Sequence, residues 1–262
     1  MSQYARVQQP GRRCAALRKV PAVLAALWSP SRLAPELRDF GLRSPWSALR
    51  TLKNFAVTTW DPAKSDIRQG INALIEGALR DPKPEAIEAA RSRSPACAAL
   101  WGERYDPPLD LDQLATLPDG TLGAEYSRFV RENGIEPLGS QVEWGEPKNL
   151  LQYNMLRGYK LHDVMHVVLG CPATPLGEVP IVAYSVGQAG QDAKAVKAPA
   201  LALAVVLLHI ALRRTNEFAE ACRLTGEWTR IGERSRPYTE FRFEDMMDQH
   251  VETVRARVLA SA

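Results

Sequence analysis

Apolar residues in this chain recur mainly at helical spacing, and runs that alternate apolar with polar residues are scarce. Over residues 65–79, Ile67, Ile71, Leu74, Ile75 and Leu79 fall along one stripe. Over 120–133, Leu122, Tyr126, Phe129 and Val130 stand at i, i+4, i+7 and i+8. They follow Pro118, Asp119, Gly120 and Thr121, which offer turn and N-cap chemistry. A further helix is predicted over 147–169, because Pro147 suits a first turn and Gly170 supplies a stop. Residues 171–176 contain two prolines and cannot be regular helix, so the next helix is predicted to begin near Gly177. Residues 241–260 read as a charged closing helix whose apolar members are Met246, Met247, Val251, Val254 and Val258. The pattern predicts an all-α fold. It is organised as a single multi-helix domain over residues 34–262, with a basic N-terminal extension over residues 1–33.

The most apolar stretch, 198–212, lies between Lys197 and Arg213. Its fifteen residues rise about 22 Å as a helix, short of the ~30 Å hydrocarbon core of a bilayer. A central core helix is therefore predicted, and such a helix can also line a pocket for a long apolar ligand.

Composition narrows the class. Hydrophobic residues make up 45% and charged residues 24% of the 262, which is ordinary for a globular protein. A formal net charge of +3 is too small to argue for nucleic acid. The charge is uneven, however: residues 1–60 carry ten Lys or Arg against Glu36 and Asp39. Such a start is a solvated basic arm, a surface for anionic lipid or an acidic partner, or a cleaved transit peptide. The apolar run 20–28 is short and lacks a convincing cleavage region, so no secretory signal is read there. Cys14, Cys97, Cys171 and Cys222 form no Cys-x-x-Cys pair, which removes zinc ribbons and thioredoxin-type sites and fits a reducing compartment.

The candidate chemistry lies in 147–191. His162 and His166 are four residues apart and project from one helix face about a turn apart. Asp163 is rotated about 100° from His162 and ~60° from His166. Leu161, Met165 and Val168 form a neighbouring apolar stripe, so the imidazoles are predicted to look into the protein. Buried imidazoles and carboxylates need partners, and a divalent cation satisfies them together, with Glu178 returning from the next helix. Two imidazoles and two carboxylates suit zinc, iron, manganese or cobalt. One carboxylate can instead orient a histidine, and Asp163, whose direction differs most, is the candidate for that part. A core cluster of satisfied His and Asp without metal is the plainer alternative. Two known patterns fail: a zincin needs Glu where Asp163 stands, and the His-Asp phosphohydrolases need an upstream histidine, whereas His162 is the first in the chain. His209 and His250 read as core and surface histidines, and the six tryptophans as core packing. Arg157 reads either as a partner for an anionic head group or as a helix-surface arginine.

These residues resemble the coenzyme Q biosynthesis protein 4 family, whose signature is His-Asp-x-x-His, eleven residues, then Glu. His162, Asp163, His166 and Glu178 match it in full. Leu117–Tyr126 looks like the family's Leu-Pro and Thr-x-Gly-x-x-Tyr segment, and the run from His166 to Thr174 resembles its Leu-Gly-x-Pro turn. Gln188 and Gly190, then Trp228, Gly232, Glu244 and Arg255, follow its later pattern, so the resemblance covers about residues 95–260. It departs at Lys160, Val182 and Ser185, where the family commonly has Glu, Lys and Glu, which leaves room for a divergent bacterial member acting on another prenylated aromatic.

The resemblance implies a helical protein of ubiquinone synthesis, with His162, Asp163, His166 and Glu178 as ligands of a divalent ion, zinc first, with iron, manganese or cobalt also open. It implies a carbon–carbon lyase: decarboxylation, by protonation or oxidation, of a polyprenylated 4-hydroxybenzoate-type intermediate at ring carbon 1. Asp163 and Glu178 are the expected proton-moving catalytic groups. The alternative is a non-catalytic prenyl-lipid-binding scaffold that organises a quinone-biosynthesis complex. Expected partners are the polyprenylated aromatic substrate, other quinone-biosynthesis enzymes, a membrane surface and a second copy of the chain, with no nucleic acid. The implied place is the cytoplasmic side of a bacterial membrane, as a peripheral protein, or the matrix side of the mitochondrial inner membrane in a eukaryote.

Overall fold

A computed structural model of the chain describes residues 82, 84–137, 146–190 and 197–260. The predicted extension over 1–33, its boundary with the domain, the stripe over 65–79 and Cys14 lie outside the described residues. Among the described residues the regular structure is helical, with no strand, in agreement with an all-α fold. The described residues hold nine α-helices, in order α1 (Pro84–Arg93), α2 (Pro95–Gly102), α3 (Leu111–Leu114), α4 (Leu122–Glu132), α5 (Leu150–Leu169), α6 (Pro175–Ala189), α7 (Lys197–Arg213), α8 (Phe218–Gly232) and α9 (Val251–Leu259).

Local chemistry sets most of the ends. Thr121 and Asn149 cap α4 and α5 by accepting the Ala124 and Gln152 amides. Gly170, at φ +70°, closes α5 in the left-handed conformation that glycine adopts without a Cβ penalty. The helix after it begins earlier than predicted. Thr174 caps α6, Pro175 takes the first turn where its missing amide costs nothing, and Pro180 is tolerated in the interior.

The predicted helix over 241–260 is divided in the structure. Phe243–Met246 is a 3-10 turn and α9 starts only at Val251. The intervening backbone pairs with the start of α4 instead: Leu122 and Gly123 amides donate to Gln249 and Met247 carbonyls, and the Val251 amide donates to Gly120. His250 caps α9 and its ring lies against Gly120, so this exposed histidine has a structural part.

Among the described residues, three apolar clusters hold the helices. The largest joins Leu122 and Tyr126 of α4, Leu161, Met165 and Val168 of α5, Ile181 of α6, Phe243, and Val254 and Val258 of α9. A second lies under α1, α2 and the start of α5. A third joins α6, α7 and α8 through Val179, Ala183, Leu203, Ile210 and Ala221. α7 is only partly the core helix predicted, since Leu203, His209 and Ile210 are buried while Leu208 and Leu212 are exposed. The backbones of α6 and α8 approach closely at Gly187 and Gly232, where an added Cβ would come within 2.2 Å of the Thr229 and Tyr184 carbonyl oxygens.

Candidate metal centre

The twenty-residue α5 carries His162 and His166 one turn apart, beside the buried stripe of Leu161, Met165 and Val168. Phe129 of α4 stacks on the His166 ring at 5.2 Å between centroids. Glu178 comes from the first turn of α6, where the positive end of the helix dipole favours a carboxylate. It straddles the two rings: Oε2 lies 3.3 Å from His162 Nε2 and Oε1 lies 3.1 Å from His166 Nε2. One donor atom from each of the three residues falls within 4.8 Å of the others.

The other ring nitrogens are also engaged. His162 Nδ1 faces Asp163 Oδ1 at 3.2 Å, and His166 Nδ1 faces the Cys171 carbonyl at 3.2 Å. With Nδ1–H donating in each ring, both Nε2 lone pairs point toward Glu178, the arrangement expected of metal-binding histidines. Thus the structure brings His162, His166 and Glu178 together, and places Asp163 behind the His162 ring rather than within that set of three. His166 is 2% exposed, whereas the Glu178 side chain is 32% exposed, so the cluster has a buried side and an open side.

Two imidazoles and one carboxylate form the donor set of open, catalytic zinc sites, and the Glu178 and Asp163 carboxylates favour positive charge at the rings. Burial opposes an imidazolium at His162, but Glu178 and Asp163 outweigh it and raise the ring to about 10. For Glu178, burial acts upward and is overcome by the two histidines, which hold it well below the usual carboxylate range. A divalent cation would supply the same charge without protons. Burial raises the Cys171 thiol to about 12, and its sulfur lies toward the Leu169 carbonyl, outside the set of three donors.

Arg157 is neither a head-group partner nor a surface residue. Its guanidinium is buried, bonds both Glu244 oxygens at 2.9 and 3.0 Å, and donates to the Thr239 and Phe241 carbonyls. Lys160 joins the same carboxylate at 2.9 Å and reaches Asp106 at 2.7 Å. Periodicity put Arg157 on α5 but carried no sign of Glu244, 87 residues away. The engagement of His166 by the Cys171 carbonyl, and of the α5 end by Arg255, was likewise not visible in the pattern.

Residues 105–261 match the family described as coenzyme Q (ubiquinone) biosynthesis protein Coq4, which is more than half of the chain. The chain belongs to the Coq4 family. All four signature residues and the residues that hold them lie inside the matched range. Relatives include the mitochondrial ubiquinone biosynthesis protein COQ4 homologs of Danio rerio, 41% identical over 31% of this chain and 30% of that protein, and of Xenopus laevis, 29% identical over 57% and 50%. The human homolog is 35% identical over 37% of this chain and 38% of its own length. The chain thus spans about a third to a half of these relatives. A crystal structure of a Nostoc punctiforme protein assigned to ubiquinone biosynthesis shares the fold, with a TM-score of 0.61 at 20% identity, over 81% of this chain and 97% of that one.

Proposed function

We propose that this Coq4-family chain acts in ubiquinone biosynthesis as a metal-dependent carbon–carbon lyase. Its substrate is a polyprenylated 4-hydroxybenzoate-type intermediate that loses its carboxyl group from ring carbon 1. The observation that carries the reading is the convergence of His162 Nε2, His166 Nε2 and both Glu178 oxygens, with each ring's other nitrogen already held. The family and its relatives' names support the pathway; the reaction is what the family resemblance implies, and the donor set supports the metal.

His162 and His166 would hold the ion from α5 and Glu178 from α6. A bound divalent ion, zinc first, would supply charge that steadies the substrate's carboxylate or phenolate oxygen. Direct loss of CO2 from an aromatic acid leaves an aryl carbanion, so a proton has to reach ring carbon 1 before the carboxyl group departs. The 4-hydroxyl supplies the electron push, and the pair freed from the breaking carbon–carbon bond restores the ring. Asp163 keeps the His162 proton on Nδ1, and the Cys171 carbonyl does the same for His166. Glu178, kept ionised by the two histidines, faces the open side, where it can orient the solvent molecule that brings the proton to ring carbon 1.

The purified chain should carry about one divalent ion per molecule and release CO2 from a prenylated 4-hydroxybenzoate. Glu178→Gln should cost at least about 10²-fold in that rate and leave the fold intact. Deleting the gene should cause a carboxylated polyprenyl phenol to accumulate. An unchanged precursor profile defeats the lyase.

The alternative is a prenyl-lipid-binding scaffold, which shares with the enzyme the need for a membrane-facing surface. Leu208, Leu212 and Phe218 are exposed near the junction of α7 and α8, and no helix among the described residues is long and apolar enough to cross a membrane. Such a face suits peripheral contact with lipid. Normal quinone output from cells carrying Glu178→Gln would select the scaffold over the enzyme.

A further inference from the structure

Helix α9 reaches the end of α5 beside the candidate metal centre. From α9, Arg255 donates through Nε to the Val168 carbonyl at 2.5 Å and through Nη2 to the Val167 carbonyl at 3.3 Å. These belong to the last turn of α5, where a helix end leaves carbonyls short of partners. The guanidinium also lies over the turn that follows, since a Cβ on Gly170 would come within 3.3 Å of Nη2. Directly beyond, the Cys171 amide donates to the His166 carbonyl at 2.7 Å while the Cys171 carbonyl meets His166 Nδ1. Residues 166 and 171 are therefore closed on each other by two bonds, and Arg255 pins the carbonyls between them. On its outer side Arg255 is held by Glu252.

We infer that Arg255 is a positioning residue for His166. By holding the 167–170 turn it keeps the Cys171 carbonyl on Nδ1, which fixes the ring with its proton on Nδ1 and leaves Nε2 facing Glu178. Two carbonyls at a set spacing suit a planar guanidinium fork, whereas a lysine ammonium reaches them only as a point donor. The inference rests on the metal-centre reading for its effect on affinity, and on the ring contact alone for its effect on the His166 proton.

The test uses the full chain and two readouts: Co2+ titration followed by d–d absorption, and the hydrogen-bonded Nδ1–H resonance of His166 in 1H–15N spectra. Arg255→Gln should weaken Co2+ binding about tenfold, the low end of the cost of losing a histidine's outer support. It should also shift the d–d bands and broaden or abolish the Nδ1–H resonance. Arg255→Lys should recover part of each, and stands in for the comparison if Arg255→Gln does not fold. Val258→Ala removes buried methyl groups from the same helix without touching the turn. It should lower the thermal midpoint and leave both readouts as in the wild type. Wild-type affinity and resonance in Arg255→Gln overturn the inference. So does an equal loss in Val258→Ala, which would make the effect general destabilisation. If the wild type takes up no Co2+ but Arg255→Gln still disturbs the His166 proton, the metal reading falls and this one stands.

Discussion

Glu178 reaches the histidines because of its neighbour. An added Cβ at Gly177 would come within 1.9 Å of the Pro172 carbonyl oxygen, so only glycine lets the first turn of α6 fold back on the 171–174 turn. Thr174 then caps the helix by accepting the Gly177 amide at 3.2 Å. Gly177→Ala must push that turn outward. We expect a loss of about 1–3 kcal/mol, the usual range for overpacking, together with metal affinity lowered more than the stability loss explains. Calorimetric unfolding and a zinc competition assay check both, and unchanged zinc affinity would refute the positioning part. Spacing in the sequence made His162 and His166 legible, because a helix turns geometry into periodicity. Asp163, rotated about 100° from His162 along the helix, was legible as the carboxylate that orients a histidine, and it lies against His162 Nδ1.

At the scale of elements, α5 is tied at its middle as well as at its end. The buried Arg157–Glu244 pair joins α5 to the segment before α9, and Lys160 adds a second cation to the same carboxylate. Removing Glu244 leaves the Arg157 guanidinium buried without a counter-charge, so Glu244→Leu should cost about 3–5 kcal/mol. Arg157→Met with Glu244→Leu should recover most of it, because no lone charge remains. Denaturant midpoints of the two variants decide, and a double variant as unstable as the single one would contradict this account. Periodicity identified α4, α5 and the apolar run of α7, whose amphipathic or apolar stripes repeat locally. It misread 241–260, because the bonds that interrupt that helix come from residues 120–123, more than a hundred positions away.

For the molecule as a whole, the candidate centre couples stability to pH, with a sign that depends on the ion. In the metal-free chain His162 is raised from 6.5 to about 10. A raised folded value stabilises fully below the unfolded one and is lost as pH climbs through the folded one. The histidine contribution should therefore decline between about pH 6.5 and 10. Glu178, depressed in the fold, gives its contribution above the ordinary carboxylate value and loses it on acidification. With zinc bound, protons compete with the ion, so affinity and the stability it confers rise over the same interval. Thermal midpoints of chelator-treated and zinc-loaded protein, each taken relative to Glu178→Gln, should slope in opposite directions between pH 6.5 and 10. Parallel slopes would mean that the cluster is an ordinary ion pair. Zinc added to weakly buffered protein at neutral pH should also release protons.

The sequence alone determined the helical class and marked the residues of the candidate centre, since both are written at short range: turns of 3.6 residues, caps beside proline and glycine, and a family signature from His162 to Glu178. Tertiary structure decided how those residues are used. It set Glu178 across both rings, turned Asp163 and the Cys171 carbonyl to their far sides, buried Arg157 against Glu244, and brought Arg255 to the end of α5. Each of these is a contact between groups whose partner is selected by how helices pack. No periodicity within one segment records which distant carbonyl or carboxylate will arrive.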